Sequence, residues 1–513
     1  MHTEHKWLFA VMLALVVLMG VVLVLGAGDA IPEYIPAEED ELVAEYIPVV
    51  VDEPAIEEIC DAYIDTSDWC PYFVRALRMR SIWDQGGYLF YNDYIVRERV
   101  EQITRLSLPT GRISSLEGIQ HFINLEIISA GWNQITEVDF SNNSALRNLI
   151  IPANQLTTLD LSNNPALAIL VVSNNDLASL DVSNLPALDR LNVYGNPLTE
   201  LNLSNNTALT ELRIGGSRMT MAEIDLSNNI LLTDLSIRQS LIASIDISNN
   251  IALERFSAFE LILTSLDLSH NTALRELSIG VGNLSYLDVS NNIALESLGV
   301  GSNQLTTLDV SNNALLRTLS VGRLGMKDDG TRNLLTTLDL SHNHALERLS
   351  VCNNQLTALD LSNNPALEWL SANYNQLNAL DVSHSPSLRG LGASNNNIAS
   401  LNVSNNPALQ HLSINDNLLT ALDVSGAPAL LSLRVANNRL TSLDVSNNPT
   451  LGNRDYDSHG APGGVLDVSG NYMSSRDDVI GWQDTALYLP NEYGEVSGTF
   501  IFGPQRTPNG GNN

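Results

Sequence analysis

Basic residues are scarce in this chain of 513 residues: 26 lysines and arginines stand against 58 aspartates and glutamates, a net charge of −32. So acidic a surface repels phosphate backbones and anionic lipid, which excludes nucleic acid as a partner. Cysteine is scarcer still, with only Cys60, Cys70 and Cys352. Three cysteines make no disulfide framework, and no Cys-x-x-Cys spacing offers a zinc site. Cys60 and Cys70 are close enough to close one small loop outside the cell, or to stay apart. Catalytic motifs are missing too: no glycine-rich phosphate loop, HExxH or GxSxG occurs. The reading is therefore not an enzyme, with no catalytic residue, no resident cofactor and no metal ligand set.

One long apolar run breaks the acidic pattern. Trp7 to about Gly28 reads WLFAVMLALVVLMGVVLVLGAG, long enough to span a bilayer. It is a signal anchor, or a signal peptide cut near GAGDA. Either way the rest of the chain is expected outside the cell, secreted or held at the surface, with the membrane touched only through this segment. Residues 29–68 contain no lysine or arginine and repeat EYIP, which predicts an extended acidic stalk. Residues 69–102 carry apolar positions at helical spacing and predict a small helical cap. The capped array should run from 103 to 472, followed by a C-terminal cap and tail over 473–513.

What fills that array is repetition. LDLSNNPAL stands at 159–167 and again at 359–367, and its relatives recur mostly every 21 residues. Reading "LD" anchors from Val138 to Leu466 gives sixteen copies. A second phrase, as in LEWLSANYNQL at 367–377, falls between them, so the halves alternate at ten and eleven residues. In each phrase inward leucines alternate with outward polar residues, the period of a strand, and SNNP is turn chemistry. Two short strands per coil are therefore expected, and each coil must stack on its neighbours to bury its apolar edge. The second asparagine of SNN is present in thirteen of the sixteen copies, Leu185, Ser385 and Ala427 being the exceptions. Its amide is placed to bond backbone groups of its own and the next coil.

The LxxLxLxxN phrase resembles the leucine-rich repeat family. The alternating half-repeats are similar to those of bacterial surface proteins related to the internalins. This resemblance implies a solenoid of mainly short parallel β-strands with a small helical N-terminal cap. It also implies partner binding, often adhesion, rather than catalysis. In that group the capping segment often carries a calcium loop. Here the matching stretch is WDQGGYLFYND, with only Asp84 resembling a ligand.

Two faces of the array differ. On the "LD" face the outward residue is aspartate in fourteen copies, with Asn202 and Asn402 in the other two. Carboxylates at coil spacing should raise one another's pKa. Either serines and turn amides satisfy them, or divalent cations such as calcium line the ladder and make the protein a structural surface solenoid. The other face varies. Arg190, Tyr194, Arg213, Arg238, Arg255 and Phe259 collect there, in coils where Ser217, Ser240, Leu261 and Gly282 replace the usual asparagine. Arginine and aromatic residues dominate binding energy, so this is the first candidate for a partner-binding patch. Trp369 and Tyr374, with Arg348, Asn373 and His411, make a second, suited to a sugar or a protein loop. An extracellular protein or glycan is the partner class expected. A nine-residue gain around RLGMKDDGTRN predicts a loop leaving the solenoid, in which Asp328 and Asp329 are weak calcium candidates. His270, His342 and His384 fall two or three coils apart, too far to share one metal. Cys352 projects from the variable face in this reading.

Overall fold

The computed structural model describes residues 63–65, 69–71, 73–77, 90–91, 94–322, 332–453, 464–485, 487 and 498–506. All belong to one compact unit, Val50–Asn513. The apolar segment, most of the stalk, Asp84, Asp328 and Asp329 lie outside the described residues, as does Cys60, one end of the small loop. Among the described residues no helix is long and apolar enough to cross a membrane.

The leucine period dictates the architecture. Among the described residues eighteen strands of one parallel sheet, mostly three residues long, stack from Arg105–Ser107 to Thr499–Ile501. Each pairs in register with the strand one coil away, so Leu349, Leu370 and Leu391 sit side by side. These leucines are fully or almost fully buried and join one continuous core. The chain is thus a leucine-rich repeat solenoid with little helix, its phrase positions converted into rows of identical environment.

The N-terminal end of that core is closed by aromatic packing. Residues 73–77 and Arg97–Glu101 are helical, and a small antiparallel sheet, Tyr63–Asp65 with Tyr94–Val96 and Phe90–Tyr91, accompanies them. The Trp69 and Phe73 rings stack at 5.7 Å, and Phe73 meets Phe122 at 6.5 Å. Gly118 is required beneath Trp69: a Cβ there would lie 2.1 Å from the indole.

Two details depart from expectation. First, the "LD" half-coil keeps its side-chain alternation but forms a regular strand only in places, notably Ala379–Asp381 beside Ser400–Asn402. Elsewhere asparagine side chains link the coils there instead of a backbone ladder, and each Asp–Ser turn closes within its own coil. Second, the phrase at Leu466 belongs to the other face. Val465–Asp467 joins the long sheet, with Leu466 opposite Leu433. LDVSGN has the same inward spacing as LRVANN, so only strand pairing separates the two. The long sheet also continues to Thr499–Ile501, within the stretch read as a C-terminal cap.

Candidate functional site

Two asparagine ladders run through the solenoid, and they are bonded differently. After most strands of the long sheet, an asparagine makes bonds in both directions. Asn396 accepts from the Leu377 N–H at 3.0 Å and donates to the carbonyls of Ala372, Ala393 and Ser394 at 3.0–3.2 Å. On the opposite half-coil, Asn364 donates to the Leu340 and Asn343 carbonyls at 3.2 and 2.9 Å. Its own carbonyl oxygen is buried without a hydrogen-bonding partner, and the same holds for its eleven equivalents from Asn143 to Asn448. The amide reaches the neighbouring coil as expected, but both of its bonds go there rather than one to its own coil, and only its donor half is used.

The strand-side ladder is interrupted once. Ser217, Ser240, Leu261 and Gly282 occupy four successive ladder positions. There the strands lengthen to five residues: Glu211–Gly215, Asp234–Arg238, Arg255–Phe259 and Glu276–Gly280. Where side-chain amides no longer satisfy the backbone, its own N–H and C=O groups pair across coils. A five-residue strand also presents three outward positions instead of two. The Arg255 strand shows Arg255, Ser257 and Phe259.

All six residues of the first candidate patch lie in or beside these coils, and the structure brings them together. It also sets carboxylates among the arginines. Glu211 stands beside Arg190 in register, and its carboxylate takes Arg213 at 2.8 Å and approaches Arg190 at 3.9 Å. Arg190 is also 3.6 Å from Asp189. Arg255 reaches Asp234 at 2.8 Å. The Arg238 guanidinium lies 5.3 Å from the Phe259 ring centre, a cation–π contact. One outward row thus reads Arg190, Glu211, Asp234, Arg255, Glu276. Those ion pairs are partly solvated and hold side chains in place more than they stabilise the fold.

Tyr194 spans two coils: its hydroxyl donates to Gln239 at 3.1 Å, and Gln239 donates to Glu260 at 3.1 Å. Arg218 ties the rim from the other side, donating to Asp176 and to the carbonyls of Asn175 and Gly195. Ser257 lies on the patch floor, buried, its hydroxyl without a hydrogen-bonding partner. Among the described residues eight of the fourteen exposed large apolar side chains fall between Ile230 and Leu315. The sequence signal for all of this was the run of lost asparagines; the carboxylate partners carried no such mark.

Trp369 and Tyr374 are elsewhere. Four strands separate the Arg255 strand from Trp369–Ser371, about 24 Å at ordinary strand spacing. Tyr374 occupies the left-handed corner before the ladder asparagine, with φ 56°, and is 57% exposed. Cys352, expected to project, is buried with its sulfur 2.8 Å from the Ser371 hydroxyl.

The aspartate ladder follows the serine alternative, and the mutual rise in pKa expected of it is reversed. Asp246 is held below the usual carboxylate range by the hydroxyl and backbone N–H of Ser248, and Asp267 beyond it raises it only weakly. Asp160 is lowered by the backbone N–H and hydroxyl of Ser162 in the same way. The serine two residues on supplies these bonds in coil after coil, so local turn bonding outweighs repulsion between coils. Among the described residues no group of three histidine, cysteine or acidic side chains is placed to hold a metal.

No family model and no curated protein matches the chain. Solved structures do. One is the functional domain of InlJ from Listeria monocytogenes, which includes a cysteine ladder: identity is 28%, over 80% of this chain and 82% of that one, with a TM-score of 0.61. Another is a leucine-rich repeat protein of Leptospira interrogans, at 21% identity over 74% and 93%, with a TM-score of 0.59; it shows the fold alone. In fold and repeat pattern the chain is a leucine-rich repeat protein similar to the bacterial internalin-like proteins.

Proposed function

We propose that the protein binds another protein outside the cell, in adhesion or recognition, through the outward surface of the strands Glu211–Gly280. The observation that carries this reading is the coincidence of three departures in the same four coils. The asparagine ladder stops, the strands lengthen, and the outer surface gathers ion pairs and the Phe259 ring. A scaffold that keeps one rule almost everywhere and breaks it in one block breaks it for a use. Mixed charge along the row Arg190 to Glu276 favours a partner whose own surface carries both signs, aligned coil by coil. Arg238 on Phe259 is the expected anchor. The apolar segment Trp7 to Gly28 supports export, with the solenoid displayed at the cell surface or secreted. No catalytic step and no cofactor belongs to this reading. The serine bonds that satisfy the aspartates argue against calcium as the ladder's purpose.

The test is binding of an extracellular protein panel to the immobilised full chain and to an Arg238→Ala/Phe259→Ala variant. Loss of the bound partner with an unchanged melting temperature is expected. Equal binding by the variant would place recognition elsewhere.

A further inference from the structure

The turn after the buried asparagine of the "LD" half-coil is built differently in the middle of the array. In the flanks it mostly opens on proline, as at Pro165, Pro186, Pro365, Pro386 and Pro407. In five successive middle coils it reads Ile230-Leu231, Ile251-Ala252, Thr272-Ala273, Ile293-Ala294 and Ala314-Leu315. Asparagine side chains stack these turns on one another. Asn250, Asn271, Asn292 and Asn313 each donate to the carbonyl of the asparagine one coil before, at 2.8–3.0 Å. Ile251 and Ile293 are 61% and 62% exposed, and Ile230, Leu231 and Leu315 are more than half exposed. A single exposed isoleucine is ordinary, but aligned in one stripe these side chains mark a contact surface.

A charged row runs beside the stripe. Three residues after Ile251, and at the same place in the next three coils, come Glu254, Arg275, Glu296 and Arg317. From Arg275 onward the N–H of each donates to the carbonyl of the one before at 2.8 Å, so the four stand side by side with alternating sign. Arg275 bonds Glu296 and Arg317 bonds Glu347 within the chain, yet the two arginine side chains stay 56% and 60% exposed. A guanidinium has five donors, so each keeps donors for a second carboxylate.

We propose that this edge pairs with the same edge of a second copy of the chain, antiparallel, about a two-fold axis between the Arg275 and Glu296 coils. Such an axis reverses the order of the coils. It sets Arg275 against the partner's Glu296, and Glu254 against the partner's Arg317. The same operation lays Ile251 on the partner's Leu315 and Thr272 on the partner's Ile293. An axis moved onto the Arg275 coil would set Arg275 against itself and Glu254 against Glu296, so the charges fix the register. The apolar stripe supplies the attraction, because solvated ion pairs add little. A partner of one charge sign would meet half the row with its own sign, whereas a second copy matches the alternation throughout. The five coils span roughly 20 Å at ordinary strand spacing. So narrow an edge makes a weak dimer, in the micromolar range.

The experiment is sedimentation velocity of the full chain up to hundreds of micromolar, with melting temperature as the folding control. The wild type should pass from monomer to dimer. Ile251→Thr/Ile293→Thr, which puts at both positions the residue already present at 272, should weaken the dimer by about tenfold or more. Arg275→Glu/Arg317→Glu makes the row all acidic, and Glu254→Arg/Glu296→Arg makes it all basic. Each should be monomeric alone, and an equal mixture should form a heterodimer, although both have lost the bond between residues 275 and 296 within the chain. A wild type that stays monomeric overturns the proposal. So does association that persists in the isoleucine variant, as contact through the apolar N-terminal run would, or a mixture that does not associate. Arg238→Ala/Phe259→Ala should dimerise like the wild type, so this test fails or succeeds independently of partner binding at the strand surface.

Discussion

The four coils from Glu211 to Gly280 and the coils on either side of them bury the same leucines and tie their backbones differently. In the flanks a three-residue strand ends at an asparagine that makes four bonds, as Asn396 does. In the middle that asparagine is gone and two further residues pair across coils, as Arg238 does with Phe259. The difference teaches that side-chain and backbone ladders are interchangeable ways to satisfy a solenoid's polar groups. The backbone solution carries the paired strand two residues further, and in the two central coils it sets Arg238 and Phe259 side by side on the outward face.

The comparison can be broken first in the flanks. Asn396→Ala orphans the buried Leu377 N–H and removes three donated bonds, which should cost about 3 kcal/mol. Ser240→Ala at the equivalent position in the middle, where the serine oxygen accepts one long bond of 3.4 Å, should be close to neutral in the same melting experiment. Equal losses would mean that the ladder matters as much in the middle as in the flanks.

The opposite half-coil sharpens the point with a smaller effect. The Leu340 and Asn343 carbonyls that Asn364 serves already accept backbone bonds from Asn343 and Leu346. Asn364→Ala leaves no N–H orphaned and removes a buried oxygen that has no partner. Its cost in denaturant unfolding should be about 1 kcal/mol. The sequence is in keeping with this. Leu185, Ser385 and Ala427 replace asparagine at this position and remain fully buried.

Next comes a middle-coil strain. Val281 is β-branched and left-handed at φ 53°. Val281→Asn should stabilise by about 1 kcal/mol. Asn174, already asparagine at the same corner, should lose about as much on conversion to valine. Calorimetry on both would show what a β-branched side chain costs at this left-handed corner, in the middle and in a flank.

The smallest effect concerns acid. Asp246 sits below the usual carboxylate range because of Ser248. A depressed carboxyl contributes stability above the unfolded-state pKa of about 3.9. That contribution is lost as pH falls through the lower folded value. Ser248→Ala should therefore move the Asp246 titration up, read by NMR, and slightly reduce the pH dependence of unfolding between those limits.

Much of the solenoid was legible because its physics is periodic. Leu359, Leu370 and Leu380 announce their burial by spacing alone, and the loss of asparagine at 217, 240, 261 and 282 marks the unusual coils. What escaped reading depends on pairing. Leu466 looks like an "LD" anchor until Leu433 is found beside it. Glu211 and Asp234 are ordinary acids in an acidic chain until register sets them against Arg213 and Arg255. Gly390 carries no signal until the Trp369 ring lies on it. Local hydrogen bonding to Ser248 outranked the repulsion that a row of aspartates suggests.

The central claim is that recognition belongs to the widened middle of the sheet. Hydrogen exchange of the full chain, alone and with its protein partner bound, tests it most directly. The account predicts new protection concentrated in Glu211–Gly280 and the turns beside it, with the flanking strands unchanged. Protection confined to the flanks or to the aspartate face would contradict it.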